Sequence, residues 1–518
     1  MLKRVAHAFL AFFFGQGLGI AAALLLVPLY LHVWSPALYG EWLALYSVVA
    51  YLSSFDLGVG TYAVNRLTQA YARGDLQEYR QVQHTAFAFY FCLALLGSVA
   101  LTAFGWWAPI RLWFHLSLTD QHSVVLIVLL LGGQFLWTIP ASLVWSVYAT
   151  TGNLAKTQWV TNAASAISVA LTAAALLFWP RLAVVAGAQA VAFVSILTVV
   201  WWDVRKHFPQ LAPGFSQAKL SLLRSILSQS VLFALIDVGV GTGLQGSNII
   251  VARVAGAAAL ALFVTTRTLA NSVRQIVNTF IHSTSTDLTR LEALRNEAQL
   301  QLAFRLVIFI TAGASVAISG SLWYEGAAVL EVWTRGRLAP DLWLLRTFLA
   351  WLVLQAPWIT ASSIPQYTNQ HRLVAVAFFT SNVTGLALSV LLVPRFGLAG
   401  IPISFIAAEA VVCYHWVIRD ACRIVAQPYF SFALKLWGGL ACVTVLSLMA
   451  TGLVHGIPRL GLFTRCVASG AASVIAVGFG TFLFWFRTKE RKFLRDTGAL
   501  GARYLGRKLM PHKATEAA

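Results

Sequence analysis

Charged residues are scarce in this sequence: Asp, Glu, Lys and Arg make up only 11% of its 518 residues. Soluble domains carry about 25% charged residues, so the shortage excludes an ordinary soluble protein. Apolar residues occur in their place, because 59% of the chain is hydrophobic and the mean hydropathy is +0.74. This composition predicts an integral membrane protein with short loops and no extramembrane domain.

Cysteine is also scarce, and its five copies follow no recognisable pattern. They are Cys92, Cys413, Cys422, Cys442 and Cys466. Their spacing suits neither a metal site nor a disulfide framework, so we interpret them as small core residues. The sequence also lacks a metal-ligand cluster, a nucleophile motif in a plausible loop and a P-loop. We therefore predict no catalytic residue, no metal and no cofactor, and we do not expect an enzyme.

Positive charge is in excess, with a formal net charge of +19. Lys and Arg concentrate in alternate loops between the apolar segments and in the C-terminal tail, which is the positive-inside pattern of membrane proteins. This distribution predicts that both termini lie in the cytoplasm. It also argues against nucleic acid as a partner, because the charge marks membrane topology instead of forming one basic face.

Apolar stretches of about 20 residues predict about fourteen transmembrane helices, and thus an all-α integral membrane fold. The predicted helices cover 9–33, 42–64, 84–107, 123–149, 158–179, 183–202, 227–252, 259–282, 302–323, 344–366, 373–393, 398–418, 432–454 and 462–486.

A faint internal repeat suggests how these helices are organised. The segments that begin at Thr151 and Thr368 each contain a polar turn, a helix, a Pro-Arg corner and a returning helix rich in small residues. Parallel six-helix repeats of this kind occur in several transporter folds. We predict an N-lobe over 1–202 (helices 1–6), a cytoplasmic linker over 203–225, a C-lobe over 226–418 (helices 7–12), two extra helices over 432–486 and a basic cytoplasmic tail over 487–518. The linker fits a hinge and a plain connection equally well.

Two arginines, Arg267 and Arg274, lie inside the eighth predicted helix. With Asn271, Asn278 and His282 they follow one another at helical steps, so they share one face. A guanidinium in hydrocarbon costs at least ~2.5–3.5 kcal/mol, so such a face turns toward a bundle interior or a wet cavity. The stripe predicts a path for a large, polar and anionic substrate.

The seventh and eighth predicted helices form a hairpin around Gly256. Gln245 and Arg267 each lie 11 residues from this turn, while Asp237 and Arg274 lie 19 and 18 residues from it. Each pair should therefore share a depth in the membrane. A structural charge pair between Asp237 and Arg274 is the alternative to substrate binding by Arg274. The predicted substrate contacts are Arg267, Arg274, Asn271, Asn278, Gln245 and Asn248.

Three acids, Asp56, Asp237 and Glu409, fall inside predicted membrane helices. Carboxylates are rare in membrane spans and mark ion paths or charge pairs. Asp56 suits a coupling proton or sodium ion, or a charge pair with a buried arginine. The structural alternative is a carboxylate near the inner interface that caps a helix or pairs with Arg66. We interpret all three acids as coupling or charge-pair residues.

The segment from Pro36 to Asp75 contains Tyr39-Gly40-Glu41-Trp42, Phe55-Asp56-Leu57-Gly58-Val59-Gly60 and Asn65-Arg66. These motifs resemble the second helix and following loop of bacterial polysaccharide flippases, within the multidrug/oligosaccharidyl-lipid/polysaccharide exporter superfamily. The segment Ser247–Leu269 is similar to that family's turn between its seventh and eighth helices. The corner at 394–400 is similar to its connection between the eleventh and twelfth helices. The resemblance covers about residues 8–420.

The resemblance implies a flippase that translocates undecaprenyl-diphosphate-linked oligosaccharide, an O-antigen or exopolysaccharide repeat unit, across the bacterial inner membrane by alternating access. Arg267 would bind the diphosphate, and an ion gradient or the membrane potential would drive transport because the chain lacks a P-loop. Membrane lipid, a coupling proton or sodium ion and polysaccharide-assembly proteins are the other expected partners. The alternatives are a multidrug cation antiporter of the same fold, with an acid-dominated cavity, and a polysaccharide polymerase or ligase with essential residues in an outer loop.

Overall fold

The computed structural model describes residues 2–293, 297–367, 370–458, 460–486 and 490–491. Almost all of the predicted tail over 487–518 lies outside these residues. The part that is described is helical and contains no strand. The helices are α1 (Leu2–Val33), α2 (Pro36–Ala50), α3 (Val59–Ala72), α4 (Leu76–Trp107), α5 (Ile110–Trp113), α6 (Gln121–Thr150), α7 (Leu154–Phe178), α8 (Leu182–His207), α9 (Leu220–Ala255), α10 (Ala257–Ala293), α11 (Glu297–Trp333), α12 (Leu342–Tyr367), α13 (Arg372–Phe396), α14 (Gly400–Ile424), α15 (Tyr429–His455) and α16 (Leu462–Gly480).

Every predicted membrane segment coincides with a helix or with a pair of consecutive helices. Eleven helical stretches of the described chain are long and apolar enough to cross a membrane, and one of them, Arg372–Ile424, contains both α13 and α14. The predicted spans outside this set are α10, which carries the polar stripe, and α2–α3, which are short. The all-α membrane fold predicted from the sequence is confirmed.

The second predicted helix, over 42–64, is wrong as a continuous element. Helix α2 ends at Ala50, and a 3₁₀ turn over Tyr51–Asp56 follows it. Leu57 and Gly58 then have φ angles of 52° and 67°. This left-handed conformation is open to glycine but rare for leucine, and it ends the helical path before α3 begins. An irregular backbone at membrane depth is tolerated where it is buried in protein or lines a cavity.

Contacts between helices divide the chain into two compact units. The first unit comprises Met1–Ser272, Ala327–Trp351 and His371–His415. The second unit comprises Val273–Gly326, Leu352–Gln370 and the chain from Trp416 onward. The boundaries of the two predicted lobes stay a prediction.

Within the first unit, small residues let α13 approach α9 closely. A Cβ atom added at Gly239 would lie 2.9 Å from the Cα atom of Phe379. A Cβ atom at Gly243 would lie 2.0 Å from Asn382 Oδ1. Glycine at these positions therefore allows the two helix backbones to meet, as small residues do in membrane bundles.

Within the second unit, buried polar groups join α15 and α16 to α11. Ser473 Oγ donates to the carbonyl oxygen of Ala317 at 2.8 Å and lies 2.6 Å from Ser447 Oγ. The ring of Trp485 stacks on Phe309 with 5.2 Å between the ring centroids. The two extra helices are thus integral parts of this unit.

A buried carboxylate strengthens the same junction. Glu325 of α11 is only 1% exposed. Its oxygens lie 2.6 Å from Arg465 Nε and 2.9 Å from His455 Nδ1, on α16 and α15. Such a charge is held in a bundle interior only when hydrogen-bonded partners surround it.

Candidate functional site

The hairpin predicted around Gly256 is present. Helix α9 ends at Ala255, and α10 begins at Ala257. Gly256 has a φ of 86°, and its N–H donates to the carbonyl oxygen of Val251 at 3.1 Å. Because glycine lacks a Cβ atom, it adopts this conformation without strain and turns the chain in a single residue.

Arg267 lies on α10, and its guanidinium reaches back to α9. Its Nη1 atom donates to Ser247 Oγ at 3.2 Å and to the carbonyl oxygen of Leu244 at 3.3 Å. The guanidinium also lies 5.2 Å from the centroid of the Phe263 ring. Gln245 lies between these two acceptors in the sequence, so Arg267 meets α9 at the height that the hairpin predicts. Both acceptors are neutral and do not themselves cancel the positive charge.

Asn248, on the next turn of α9, lies at a contact with α2. It is 5% exposed, and its Nδ2 atom donates to Ser47 Oγ at 2.8 Å. Its Oδ1 atom is buried without a hydrogen-bond partner among the described residues. Further along the same contact, Tyr51 Oη lies 2.7 Å from Thr242 Oγ1. Substrate binding by Asn248 stays a prediction, and its amide nitrogen takes part in helix packing.

The remaining residues of the predicted stripe fall into both units. Gln245 and Asn271 are half-buried in the first unit. In the second unit, Arg274 Nη2 donates to Gln355 Oε1 of α12 at 2.8 Å, and Asn278 is half-buried. The roles of these residues as substrate contacts stay predictions, as does the alternative pairing of Arg274 with Asp237. The side chain of His282 lies outside the described residues.

Asp56 stands at the break between the 3₁₀ turn and α3. Its Oδ1 atom accepts the N–H of Gly60 at 3.2 Å and the hydroxyl of Tyr90. The Tyr90 hydroxyl also lies 3.1 Å from the carbonyl oxygen of Asp56. The carboxylate therefore caps the first turn of α3, where backbone N–H groups lack helical acceptors. Arg66, the alternative partner, pairs instead with Glu78, with 3.0 Å between Nε and Oε1.

The structure brings a second acid close to Asp56. Asp237 is exposed on α9, and the Asp56 carboxylate acts on it electrostatically. Two like charges in one site favour the uptake of a proton or a cation, which relieves their repulsion. The sequence predicts both acids as coupling candidates but does not predict that the two carboxylates interact electrostatically.

Glu409 of α14 is buried, with 3% of its surface exposed. Its Oε1 atom accepts a hydrogen bond from the indole Nε1 of Trp351 at 2.9 Å. The Trp351 ring stacks on Phe405 with 5.1 Å between centroids. A coupling role for Glu409 stays a prediction.

A cavity of about 460 Å³ within the first unit was missed by sequence reasoning. It lies among α6, α7 and α8, and the polar or aromatic residues of its lining are Gln134, Trp145, Thr161, Ser165, Ser168, Gln189 and Phe193. The lining offers amides, hydroxyls and an indole ring but no charge. The Gln134 Oε1 atom is buried without a partner among the described residues. Such a surface suits an uncharged ligand that is rich in hydroxyl groups.

Comparisons with known proteins show which known structures have a similar fold. Neither a protein-family model nor the sequence of a curated protein matches the chain. The structure of the lipid II flippase MurJ in an inward closed conformation is similar, with a TM-score of 0.66, 10% identity and coverage of 91% of this chain and 98% of that one.

Other transporters share the same fold. An inward-facing multidrug resistance MATE family transporter of the MOP superfamily has a TM-score of 0.65 and 14% identity, with 78% of this chain and 95% of that chain covered. A MOP superfamily transporter from Pyrococcus furiosus, described by the reverse polarity of its binding pocket, has a TM-score of 0.58 and 12% identity, with 82% and 96% covered.

The chain therefore has the fold of MOP superfamily transporters and flippases, and it is a multi-pass membrane protein. The resemblance that the sequence motifs indicate is confirmed at the level of the fold. The substrate must be argued from the residues of the site, because one fold serves several functions.

Proposed function

We propose that the protein is a flippase that moves a lipid-diphosphate-linked oligosaccharide across the bacterial inner membrane by alternating access. The substrate would be an O-antigen or exopolysaccharide repeat unit carried on undecaprenyl diphosphate. The observation that carries this proposal is the position of Arg267. Its guanidinium lies about three helical turns from the Gly256 turn, against two neutral acceptors on α9.

An arginine in this setting suits a diphosphate. The planar guanidinium offers paired donors that match phosphate oxygens, and a low-dielectric surrounding strengthens charge-assisted hydrogen bonds. A carbonyl and a hydroxyl of α9 hold the group in place. The α9–α10 hairpin thus carries a guanidinium of the kind that an anionic headgroup would require.

The uncharged cavity among α6, α7 and α8 supports the proposal that the substrate carries a glycan. Amide groups such as those of Gln134 and Gln189 can donate to and accept from sugar hydroxyls. The indole of Trp145 offers an apolar face with a polar edge, as sugars require. The cavity and the Arg267 region together provide the two chemistries of a lipid-linked oligosaccharide.

The comparison with a lipid flippase supports the same proposal. The likeness to MurJ extends over 91% of this chain, whereas the likeness to the inward-facing MATE transporter extends over 78%. We further propose that Asp56 and Asp237 bind the coupling proton or sodium ion, and that Glu409 contributes separately. Both termini would lie in the cytoplasm, where the basic loops are expected.

The second candidate is a multidrug cation antiporter. It is favoured by the electrostatic coupling of Asp56 with Asp237, since acids are what a cationic substrate would need. In that case loss of the Arg267 charge would leave transport intact, and loss of either acid would abolish drug resistance.

Deletion of the gene, followed by extraction of lipid-linked intermediates, tests the proposal. We expect complete repeat units to accumulate on the inner leaflet, because assembly continues while translocation stops. Unchanged intermediates would contradict the proposal. A defect confined to polymer length on the outer leaflet would contradict it as well, and would point to a polymerase or ligase.

A further inference from the structure

The linker between α8 and α9 is fastened to the start of α4. The backbone N–H of Gln217 donates to His84 Nδ1 at 3.2 Å, and that of Lys219 donates to Thr85 Oγ1 at 3.0 Å. The ring of Phe215 packs against Phe87 and Phe91 of α4, with 5.4 and 5.3 Å between the ring centroids. The end of this linker is therefore docked on α4 through specific contacts.

A cavity of about 380 Å³ lies beside the docked segment. Arg80 and Lys219 contribute cationic side chains to its lining, and Gln77, Gln81 and Gln217 contribute amides. None of the described residues that line it is acidic. The cavity therefore has a positive electrostatic potential and many hydrogen-bond donors.

Two atoms of this lining are buried and lack partners. Arg80 Nε and Gln217 Oε1 make no hydrogen bond with any described residue. The neighbouring acid Glu78 does not serve Arg80, because its two oxygens lie 3.0 Å from Arg66 and 2.6 Å from Arg73. No acid among the described residues therefore pairs with Arg80, and its guanidinium keeps its positive charge beside the cavity.

The cavity also borders the beginning of a long helix. Helix α9 starts at Leu220, and its N-cap residue, Lys219, provides no side-chain cap. The first backbone N–H groups of a helix and its macrodipole make this end electropositive. An arginine and a lysine line the cavity, and the electropositive end of α9 lies beside it, so the site favours phosphate oxygens.

We infer that this cavity binds a phosphate ester, which is either the headgroup of an anionic phospholipid or a soluble phosphate compound. The phosphate accepts hydrogen bonds from the terminal nitrogens of the Arg80 guanidinium and lies against Lys219, while the amides of Gln77 and Gln81 are available to the rest of the ligand. Because the docked linker forms one wall of the cavity, the ligand holds the linker on α4. This site is separate from the translocation of substrate and does not depend on what the protein carries.

Backbone hydrogen exchange of the linker tests the inference on the full chain in phosphatidylcholine nanodiscs. One arm replaces a quarter of the lipid by phosphatidylglycerol, and the other adds inorganic phosphate, with chloride at equal ionic strength as the reference. Exchange of the amides over 211–222 should slow about tenfold when the ligand is tenfold above its Kd. Protection by phosphatidylglycerol alone identifies a lipid headgroup, and protection by inorganic phosphate identifies a soluble ligand.

Variants separate binding at this site from a general effect of charge. Arg80→Gln and Lys219→Gln should remove most of the protection, whereas Arg224→Gln should keep it, because Arg224 is exposed on α9 and does not line the cavity. All variants should share the wild-type melting temperature in pure phosphatidylcholine, which checks that they fold. The inference is overturned if neither probe slows exchange, if chloride acts equally well, or if the Arg80→Gln/Lys219→Gln double variant is still protected.

Discussion

Glu41 lies on α2 and Asp56 ends the 3₁₀ turn that follows it, but the surroundings of the two acids differ. Glu41 is 1% exposed and accepts hydrogen bonds from the backbone N–H groups of Ser117 and Leu118 at 2.7 and 2.8 Å. It also accepts from the hydroxyl of Thr119 at 2.5 Å. Three donors saturate this carboxylate and fasten the loop after α5 to α2.

Asp56 has a less complete set of partners. One backbone N–H, from Gly60, and one phenol, from Tyr90, reach its carboxylate, and a second acid lies nearby on α9. A saturated buried acid serves stability, because removing it leaves donors unpaired. An acid at a helix break beside a like charge is suited to exchange a proton or a cation. Glu41 is therefore a structural acid, while the coupling role of Asp56 stays a prediction.

The largest loss of stability is expected for Glu41→Ala. The substitution leaves two buried N–H groups and one hydroxyl without their acceptor, which should cost about 3 kcal/mol. Glu41→Gln keeps one oxygen acceptor and should cost about 1 kcal/mol. Melting temperatures of the purified variants in detergent measure this order. Equal melting temperatures for Glu41→Ala and wild type would contradict a structural role for Glu41.

Gly58→Ala should destabilise the break next to Asp56. The new Cβ atom would sit 2.5 Å from Phe233 Cβ and 2.8 Å from the carbonyl oxygen of Ser230, in a residue with a φ of 67°. Strain and overpacking together should cost about 2–3 kcal/mol.

Gly74→Ala is the matched control for this substitution. Gly74 has a φ of 74°, but an added Cβ atom would meet nothing within 4 Å. The free energy of unfolding of Gly74→Ala should fall by only about 1 kcal/mol, which is the cost of a Cβ atom in the left-handed conformation. If both glycine variants melt at the same temperature, the close packing of the Leu57-Gly58 break against α9 makes no contribution to stability.

The smallest loss of stability is expected for Asp56→Asn. The amide oxygen can still accept from Gly60, so the free energy of unfolding should change by less than about 1 kcal/mol. Transport should nevertheless change its dependence on sodium concentration or pH, because the amide carries no charge. The measurement is substrate translocation in membrane vesicles over a range of both ions. Transport by Asp56→Asn with an unaltered ion dependence would contradict a coupling role for Asp56.

Much of the fold could be predicted because lipid imposes a simple rule on the sequence. Each span needs about 20 apolar residues, so helices such as α6 and α11 are visible as uninterrupted runs. The turn at Gly256 was also predictable, since a single glycine separates two polar stripes. The break at Leu57-Gly58 was missed because it lies within an apolar run without proline and depends on packing against α9.

The partners of the candidate site were less accessible to sequence reasoning. Tyr90 lies 34 residues from Asp56, and Gln355 lies 81 residues from Arg274. No local pattern links such positions, because their contact depends on how separate helices pack. By contrast, the meeting of Arg267 with α9 near Gln245 followed from equal distances to one turn.

Export by Arg267 variants tests the central claim most directly. In a deletion strain that expresses each variant at equal membrane abundance, the lipid-linked glycan that reaches the outer leaflet is quantified. Arg267→Ala should reduce export about a hundredfold, since a charge-assisted bond to phosphate contributes about 3 kcal/mol, and Arg267→Lys should keep a fraction. Arg253→Ala, next to the Gly256 turn of the same hairpin, should export normally. Full export by both Arg267 variants would contradict a diphosphate-binding role for this arginine and the flippase mechanism built on it.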